Sequence, residues 1–374
     1  MIKVGLVGAR AESFVSAFSA RDDAKITAVC DLDEEIVGNL GDRLSLPKEA
    51  RFRIYEDMLD RADIDAVLIA TPMQCHVPQA IKALQTGRHV MSEVTAAVTM
   101  DELWWLIEAV EKSGKIYMYS ENYCYTPEMQ IVKEMARAGM FGKIYYAEGE
   151  YTHDCTDLRN WHGQVGWRSY WQMGTRGAFY PTHSLGPVMQ CLDDDERITE
   201  IACFSSGNHN PYGLRNDDVN QVMCRLKSGG LVKIRVDTIS PRPHALTYYQ
   251  IQGTKGCFEA PRTGGDHVVA VDTEENPEGH TTWRSLNDFS YMLPERFKSG
   301  AGKGAGHGGG DYYIVEDFVT AIKNNEMPYL NVYRAAEWTA VALLSQLSVT
   351  NNGRTMEMPN FRPGMSWEEK RIKL

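Results

Sequence analysis

The sequence lacks any apolar run long enough to cross a membrane as a helix, which takes about 20 residues. It also lacks a C-x-x-C pair, and its eight scattered cysteines predict reduced, mostly buried thiols. Basic residues are outnumbered, 39 against 50 acidic ones, which leaves a net charge of −11. We therefore expect neither a membrane nor nucleic acid as a main partner.

A secretory leader is not expected, and the alternative is a mature secreted form that has lost its signal. Met1 leads directly into an apolar segment, without the charged start and separate apolar core of a signal peptide. Together with the cysteine pattern, this predicts a cytoplasmic protein. The length of 374 residues predicts two or three domains, and a hydrophobic content of 43% is enough to form a core without disulfides.

Apolar runs that predict strands alternate with helical patterns in the N-terminal third of the chain. The runs are Ile2–Val7, Ile26–Cys30, Ala66–Ala70, His89–Ser92 and Ile116–Ser120. Strands separated by helices of this length predict βαβ units and a parallel sheet. From Ile198 onward the strand patterns are separated by short turns instead, which predicts an antiparallel meander.

The dinucleotide-binding fingerprint G-x-G-x-x-G is incomplete. After the first predicted strand the chain reads GARAES, from Gly8 to Ser13, so only the first glycine is present. The missing glycines normally let the pyrophosphate approach the backbone and let the helix pack on the strand. We expect Gly8, Ala9 and Arg10 to bind the cofactor with altered geometry, with Arg10 pairing with a phosphate and Ser13 available as a cap.

An acidic residue stands where a ribose would be recognised. Asp31 ends the second predicted strand, about 20 residues after Gly8, the spacing at which a carboxylate accepts hydrogen bonds from the adenosine ribose. A carboxylate repels a 2′-phosphate, which predicts NAD rather than NADP. The alternative is that Asp31 only caps the next helix.

Thr71, Pro72, His76 and Glu93 follow the next strands in a recognisable order. This order resembles the glucose–fructose oxidoreductase/inositol dehydrogenase/MocA superfamily, over essentially the whole chain. The resemblance implies that these four residues contact the cofactor. It also implies a homo-oligomer, either a dimer or a tetramer.

The resemblance implies an α/β protein of two domains. Residues 1–122 would form an NAD-binding Rossmann domain. Residues 123–374 would form an α+β domain for substrate binding and oligomerisation, with a large, mostly antiparallel open sheet.

Two motifs of the superfamily's dehydrogenases are absent. Their E-K-P reads Glu93-Val94-Thr95 here, which removes the lysine that assists proton transfer, and their G-x-x-x-D-x-G-x-H is replaced by GAFYPTH at 177–183. Five segments instead resemble the NAD-dependent glycosidases of glycoside hydrolase family 109. They are EVTAAVT, ENYCY, GEYTHD, YPTHSLGP and GHGGGD.

The resemblance to this glycosidase branch implies cleavage assisted by a redox cofactor. NAD takes a hydride from carbon 3 of the sugar, carbon 2 loses a proton, and the group on carbon 1 leaves. Water then adds and the hydride returns, so there is no net oxidation. Two alternatives remain open: an NAD-dependent sugar or cyclitol dehydrogenase, and a non-catalytic ligand-sensing protein on the same fold.

Carried over motif by motif, the branch's catalytic residues fall on Glu121, Tyr151, Tyr180 and His183. A histidine has a pKa suited to proton transfer near neutrality. A tyrosine can act as a base only if its neighbours lower its pKa. Glu121 follows a Rossmann strand, where it would hold sugar hydroxyls or the nicotinamide ribose. The alternative is that the tyrosines are core residues and the histidine is structural.

Further substrate contacts are expected from Trp161 and Trp167, which lie in the aromatic-rich stretch 145–183, although aromatics also dominate packed interfaces. Asp237 ends a predicted strand and is expected to face the ligand. The glycine-rich stretch before Asp311 is predicted to be a site loop with His307 pointing inward, and Asp311 is predicted to be the N-cap of the next helix.

A metal is not expected. The candidate ligands are His153, Asp154, Asp157 and His162, whose spacing matches no closed metal site.

Overall fold

The computed structural model describes residues 1–161, 163–243 and 247–365, and of Trp161 only the backbone. The strands in chain order are β1 (Ile2–Val7), β2 (Ala24–Cys30), β3 (Arg51–Phe52), β4 (Ala66–Ile69), β5 (His89–Ser92), β6 (Tyr117–Tyr119), β7 (Ile144–Thr152), β8 (Asn160–Trp161), β9 (Gln164–Val165), β10 (Ile198–Ser205), β11 (Val219–Leu226), β12 (Leu231–Asp237), β13 (Thr247–Gly253), β14 (Gly256–Glu259), β15 (Val268–Val271), β16 (Arg284–Ser285) and β17 (Met356–Glu357).

The helices are α1 (Val15–Ser19), α2 (Glu34–Arg43), α3 (Tyr55–Arg61), α4 (His76–Gln85), α5 (Met100–Ser113), α6 (Pro127–Arg137), α7 (Arg168–Trp171), α8 (Thr182–Met189), α9 (Glu295–Lys298), α10 (Gly310–Asn324) and α11 (Val332–Thr350). No helix within the described residues combines the length and apolarity that crossing a membrane requires.

The chain divides into two compact units. The first comprises residues 1–122 and 300–336, and the second comprises residues 123–299 together with the chain from Glu337 onward. The sequence-based division places everything after residue 122 in the C-terminal domain, whereas the glycine-rich stretch and α10 belong to the first unit.

The first unit is built on a six-stranded parallel sheet in the order β3-β2-β1-β4-β5-β6. Its central strand β4 is buried along its whole length, which fits its continuous apolar sequence. The carboxyl ends of parallel strands meet at one edge of the sheet, where ligands bind. The candidate cofactor residues Gly8, Asp31, Thr71 and Glu93 follow these ends, as does the candidate catalytic residue Glu121.

The second unit is built on a nine-stranded sheet in the order β16-β15-β14-β13-β7-β12-β11-β10-β17. Its pairs are antiparallel except for β7 and β12, which run parallel. Helix α8 packs directly on β7, because a Cβ on Gly149 would lie only 1.7 Å from the carbonyl oxygen of Ser184. The predicted fold class, a Rossmann domain with a second, mostly antiparallel sheet, is confirmed.

Helix ends follow local side-chain chemistry in some places and not in others. Helix α5 begins with a capping box between Thr99 and Glu102 and ends at Gly114 in the left-handed conformation, as its sequence predicts. The predicted N-cap role of Asp311 is wrong. Helix α10 begins at Gly310, and its N-cap is Gly309. Asp311 lies inside the first turn, and its carboxylate hydrogen-bonds to the side chains of His307 and Asn122.

Candidate active site

Gly8 forms the turn after β1 with a φ of 91°, a left-handed conformation that favours glycine. A Cβ at this position would lie 2.6 Å from the carbonyl oxygen of Ala70, so a larger residue does not fit. The Gly8 N–H donates to the Cys30 carbonyl over 2.9 Å, and the Gly8 carbonyl accepts from the Ala11 N–H over 3.0 Å. Gly8 is therefore held against the ends of the two neighbouring strands.

The residues after Gly8 form a 3-10 helix, Ala9–Phe14, in place of an ordinary glycine loop. Ala9 is half-buried and Arg10 is exposed. The Ser13 hydroxyl donates to the carbonyl of Arg10 over 3.0 Å, so Ser13 stabilises this turn and does not cap α1. This helix is the altered geometry that the incomplete fingerprint predicts.

Asp31 follows β2 as a half-buried carboxylate. Its Oδ1 accepts from the Asp33 N–H over 2.9 Å. The N-cap of α2 is Asp33, whose side chain accepts from the Glu35 N–H over 2.9 Å. The alternative that Asp31 caps this helix is therefore wrong, and its position is the one from which a ribose is recognised.

The turn after β4 contains Thr71, Pro72 and His76. The Thr71 hydroxyl donates to Gln79 Oε1 over 2.7 Å, and Pro72 begins the short 3-10 helix that leads into α4. His76 is buried, with its ring nitrogens 2.9 Å from the Thr71 carbonyl and 2.7 Å from the Thr95 carbonyl, and burial lowers its pKa. This geometry gives His76 a positioning role between the loops that follow β4 and β5.

A cluster of four charged side chains, Arg10, Glu93, His307 and Asp311, lies in the first unit. Nδ1 of His307 is 3.0 Å from each carboxylate oxygen of the fully buried Asp311, and this hydrogen bond raises the pKa of His307. His307 is otherwise exposed. Burial, and then the nearby Asp311, raise the pKa of Glu93, whereas His307 and Arg10 act in the opposite direction.

Glu121 and Asn122 follow β6 and are both buried. The Asn122 amide donates to Asp311 Oδ1 over 3.2 Å, while its own Oδ1 is buried and has no hydrogen-bond partner in the described part of the chain. A buried acceptor left unsatisfied is unfavourable, which indicates a ligand donor at this edge of the sheet. With the Gly8 turn and the Asp31 carboxylate, it makes the first unit fit NAD.

In the second unit, His183 is surrounded by aromatic rings. Its ring centroid lies 4.4 Å from that of Tyr123, 4.9 Å from that of Tyr151 and 5.0 Å from that of Tyr180. Helix α8 carries His183, and the Tyr249 hydroxyl donates to its backbone carbonyl over 2.7 Å. The structure thus brings together the three residues that the sequence assigns to YPTH and GEYTHD.

Two members of this cluster were not predicted to be catalytic, although His153 was a candidate metal ligand. Tyr123 belongs to ENYCY, and its ring lies against that of His183 at an interplanar angle of 51°. His153 belongs to GEYTHD, and its Nδ1 lies 2.7 Å from the hydroxyl oxygen of Tyr151. Both residues lie within the family motifs ENYCY and GEYTHD, so membership of these motifs could have predicted their place in the site.

The environment of Tyr151 raises its pKa instead of lowering it. Burial has the largest effect and raises the pKa well above the ordinary value, Tyr180, Cys155 and Tyr123 add to it, and Arg168 opposes it. The condition for Tyr151 to act alone as a base is therefore not met. In this environment the phenol keeps its proton near neutral pH.

The remaining candidate residues differ in their surroundings. Asp237 is buried, its Oδ2 accepts from Arg235 over 3.0 Å and its Oδ1 from the Ser240 N–H over 3.1 Å, which corrects the expectation of a carboxylate open to ligand. Trp167 is half-buried with the Arg168 guanidinium 4.5 Å from its ring. The Trp161 side chain lies outside the described residues.

A metal site is absent from the part of the chain that the structure describes: no three His, Cys, Asp or Glu side chains there are grouped so as to hold an ion. His162, one of the four candidate ligands, is outside that part.

The sequence matches two domain families that cover nearly the whole chain. Residues 2–121 match the oxidoreductase family with an NAD-binding Rossmann fold, and residues 125–369 match the glycosyl hydrolase 109 C-terminal domain. Both matches confirm the resemblance that the motifs indicate. NAD is thus the cofactor of the first domain, and it would be held by the Gly8 turn, Arg10 and Asp31.

Similar proteins give the same assignment. A glycosyl hydrolase family 109 protein of Shewanella pealeana is 30% identical, over 98% of this chain and 86% of the relative. An alpha-N-acetylgalactosaminidase of Shewanella oneidensis is 28% identical over the same shares.

Solved structures show the same fold at low sequence identity. Levoglucosan dehydrogenase in complex with NADH and L-sorbose superposes with a TM-score of 0.79 at 19% identity, over 96% of this chain and 99% of the other. An oxidoreductase of Agrobacterium radiobacter in complex with NAD+, L-tartaric acid and magnesium gives 0.73 at 15%, over 95% and 98%. The chain belongs to glycosyl hydrolase family 109 and is an NAD-dependent enzyme that acts on sugars.

Proposed function

We propose that this enzyme cleaves a glycosidic bond by a redox-assisted elimination, with no net oxidation of the sugar. The observation that supports it is the cluster of His183, Tyr151 and Tyr180, three side chains able to carry protons, whose ring centroids lie 4.9 to 5.8 Å apart. NAD, when bound, supplies reversible hydride transfer at carbon 3, which acidifies the hydrogen on carbon 2.

The protein's own residues have two tasks in this proposal. The second unit moves protons: His183 gives one to the departing oxygen, and the Tyr151 phenol takes part in proton removal from carbon 2. The first unit holds the cofactor and lacks the lysine of the related dehydrogenases, because Val94 follows Glu93. Valine has no proton to exchange, which disfavours a plain dehydrogenase with the same machinery.

The substrate class follows from the relatives. One of them is named an alpha-N-acetylgalactosaminidase, so an aryl α-N-acetylgalactosaminide is the first compound to test. The purified protein is incubated with it in heavy water, and aglycone release, NADH absorbance and deuterium in the sugar are followed together. Aglycone release with deuterium at carbon 2 and no accumulating NADH is expected.

Each other outcome corresponds to a rival function. Stoichiometric NADH with an oxidised sugar would make the protein a dehydrogenase. Tight binding of sugars without turnover, across a panel of glycosides, would make it a ligand-sensing protein. Aglycone release from protein stripped of NAD would contradict the redox-assisted mechanism.

We also propose a homo-oligomer that pairs through the nine-stranded sheet. The sheet face opposite α8 carries a partly exposed charged ladder, in which Lys233 is 2.6 Å from Glu148 and Arg262 is 2.7 Å from Glu150. A surface of paired charges can match a second copy of itself. Light scattering should give a dimer or tetramer, and a monomer at micromolar concentration would contradict this.

A cytoplasmic location completes the proposal. None of the eight cysteines forms a disulfide, and most are buried. Burial makes such thiols poor nucleophiles, since it raises the pKa of Cys155 to about 11, for example. Fractionation of the native cells should recover the protein with the cytosolic fraction.

A further inference from the structure

The position of Tyr151 poses a chemical problem for any role in proton removal. The side chain is buried, with an exposed fraction of 5%, and burial raises its pKa well above the ordinary value. A free phenolate at this place would be a poorly solvated charge. If Tyr151 is to accept a proton from the substrate, its own proton must leave at the same time.

The structure provides an acceptor for that proton. His153 follows Tyr151 by two residues, so both side chains lie on the same side of the chain at the end of β7. Tyr151 Oη and His153 Nδ1 are 2.7 Å apart, and their rings meet nearly at right angles, with an interplanar angle of 86°. The edge of the imidazole thus meets the hydroxyl, which is the orientation for a hydrogen bond.

The backbone fixes this pair in place. Tyr151 is paired with Val236 in the parallel ladder between β7 and β12. One residue beyond the end of β7, the His153 N–H donates to the Asp237 carbonyl over 2.8 Å. The buried Asp237 carboxylate accepts from the Arg235 guanidinium and from the Ser240 N–H, which fixes the end of β12. Asp237 therefore supports His153 through its backbone carbonyl.

We infer that His153 is the proton-accepting partner of Tyr151, and that the two act as one relay during removal of the proton from carbon 2. This inference rests on the proposed function. The C2–H bond breaks as the Tyr151 O–H forms, and the former phenol proton moves to His153 Nδ1. The electron pair of the C2–H bond forms the double bond to carbon 1. The group on carbon 1 leaves with its own bonding pair, and a separate donor protonates it.

The relay keeps charge out of the buried position. The phenol is neutral before and after the step, and the positive charge appears on His153, which is half-buried and closer to solvent. Among the described residues, the other titratable groups around Tyr151 include Tyr123, Cys155, Arg168, Tyr180 and His183. Arg168 is the cation of this group and favours negative charge on the phenol oxygen as the proton moves.

The variant His153→Asn distinguishes a proton-accepting role of His153 from a role in which it only positions Tyr151. His153→Asn places an amide oxygen near the position of Nδ1, so it can accept a hydrogen bond but cannot take a proton. We expect kcat to fall by about 10²- to 10⁴-fold with little change in KM. The thermal melting temperature and NAD affinity should match the unaltered enzyme.

A double-mutant cycle tests whether His153 acts through Tyr151. If it does, His153→Asn combined with Tyr151→Phe should be no slower than the slower of the two single variants. Multiplying effects would mean that the two residues act separately, which would overturn the relay. The control is His280→Asn, an exposed histidine paired with Asp272, which should keep full activity.

A second measurement needs no substrate. Nitrogen NMR of the ¹⁵N-histidine-labelled enzyme, with the signal assigned from His153→Asn, reports which ring nitrogen carries the proton. We expect the neutral His153 ring to carry it on Nε2, since Nδ1 accepts from Tyr151, and Tyr151→Phe to change that signal. A neutral ring protonated on Nδ1 overturns the relay, and absence of glycoside cleavage with the expected tautomer overturns only the proposed function.

Discussion

Asn122 donates a hydrogen bond to Asp311 over 3.2 Å, between residues separated by 189 positions in the chain. Asp311 in turn accepts from His307. The loop after β6 and the start of α10 are therefore held together by one buried carboxylate in the first unit. This contact explains why the glycine-rich stretch belongs to the NAD-binding unit. Its place in the sequence predicts the C-terminal domain instead.

The contact between His307 and Asp311 predicts a pH-dependent contribution to stability. The hydrogen bond to Asp311 raises the pKa of His307 above the ordinary value of 6.5. A histidine with a raised pKa in the folded state adds stability that is fully present below the unfolded pKa and is lost as pH rises through the folded pKa. His307→Asn should therefore lower the free energy of unfolding most below pH 6.5.

Urea unfolding of both proteins at a series of pH values checks this. The difference should shrink as pH rises through the folded pKa of His307. A matched variant, His280→Asn, removes an exposed histidine of the second unit from its partner Asp272 and controls for the general effect of charge. A difference for His307→Asn that stays constant with pH would contradict a raised pKa.

Asp31 should set the choice between the two dinucleotides. Its carboxylate stands at the end of β2, and the capping of α2 falls to Asp33, so the role of Asp31 is not structural capping. Asp31→Ala should bring the affinities for NADP and NAD closer together, because the repulsion of the 2′-phosphate is removed. Calorimetric titration with both dinucleotides measures this, with Asp33→Ala as the control for loss of a neighbouring acid. Equal affinities in the unaltered enzyme would show that Asp31 does not discriminate.

Arg10 should compensate for the glycines missing from the fingerprint. Arg10 is exposed on the 3-10 helix that follows Gly8. Its positive charge acts to lower the pKa of both Glu93 and His307. A charge-assisted pair with a phosphate contributes about 1.5–3 kcal/mol, so Arg10→Ala should weaken NAD binding roughly ten- to a hundredfold.

The role of Arg10 is tested by measuring the affinity of the apoenzyme for NAD by calorimetry at two salt concentrations. Removal of an exposed cation elsewhere in the same unit, as in Lys112→Ala on α5, is the control and should change affinity little. If both variants bind equally well, Arg10 makes no contact with the cofactor.

The strands of the first unit could be predicted closely because burial marks them. The run Ile2–Val7 coincides with β1, and Ala66–Ala70 exceeds β4 by one residue. Strands covered on both faces are apolar along their whole length, so the sequence shows them directly. The NAD cofactor and the family could also be predicted, because short motifs in a fixed order along the chain indicate both, and both are confirmed.

Other features depend on contacts between distant residues and left no local pattern. The 3-10 helix after Gly8 arises where glycines are replaced, and the sequence predicted only that the geometry would change. The raised pKa of Tyr151 depends first on its burial and then on charge interactions with residues from other parts of the chain, such as Tyr180. Tyr123 is recognised only when α8 brings His183 beside it, and His153 only when its ring is seen to contact the Tyr151 hydroxyl.

The decisive prediction for catalysis concerns His183. Three tyrosine rings surround its imidazole and hold the ring in place, and an imidazole can both donate and accept a proton. His183→Ala should lower turnover of the aryl glycoside by about 10²- to 10⁴-fold. The loss should be smaller for an aryl group that leaves easily, because such a group needs less help from a proton donor. His209→Asn, which removes an exposed histidine whose ring contacts the Ser206 carbonyl, should keep full turnover. An equal loss for good and poor leaving groups would assign His183 to another proton, and unchanged turnover would remove it from the mechanism.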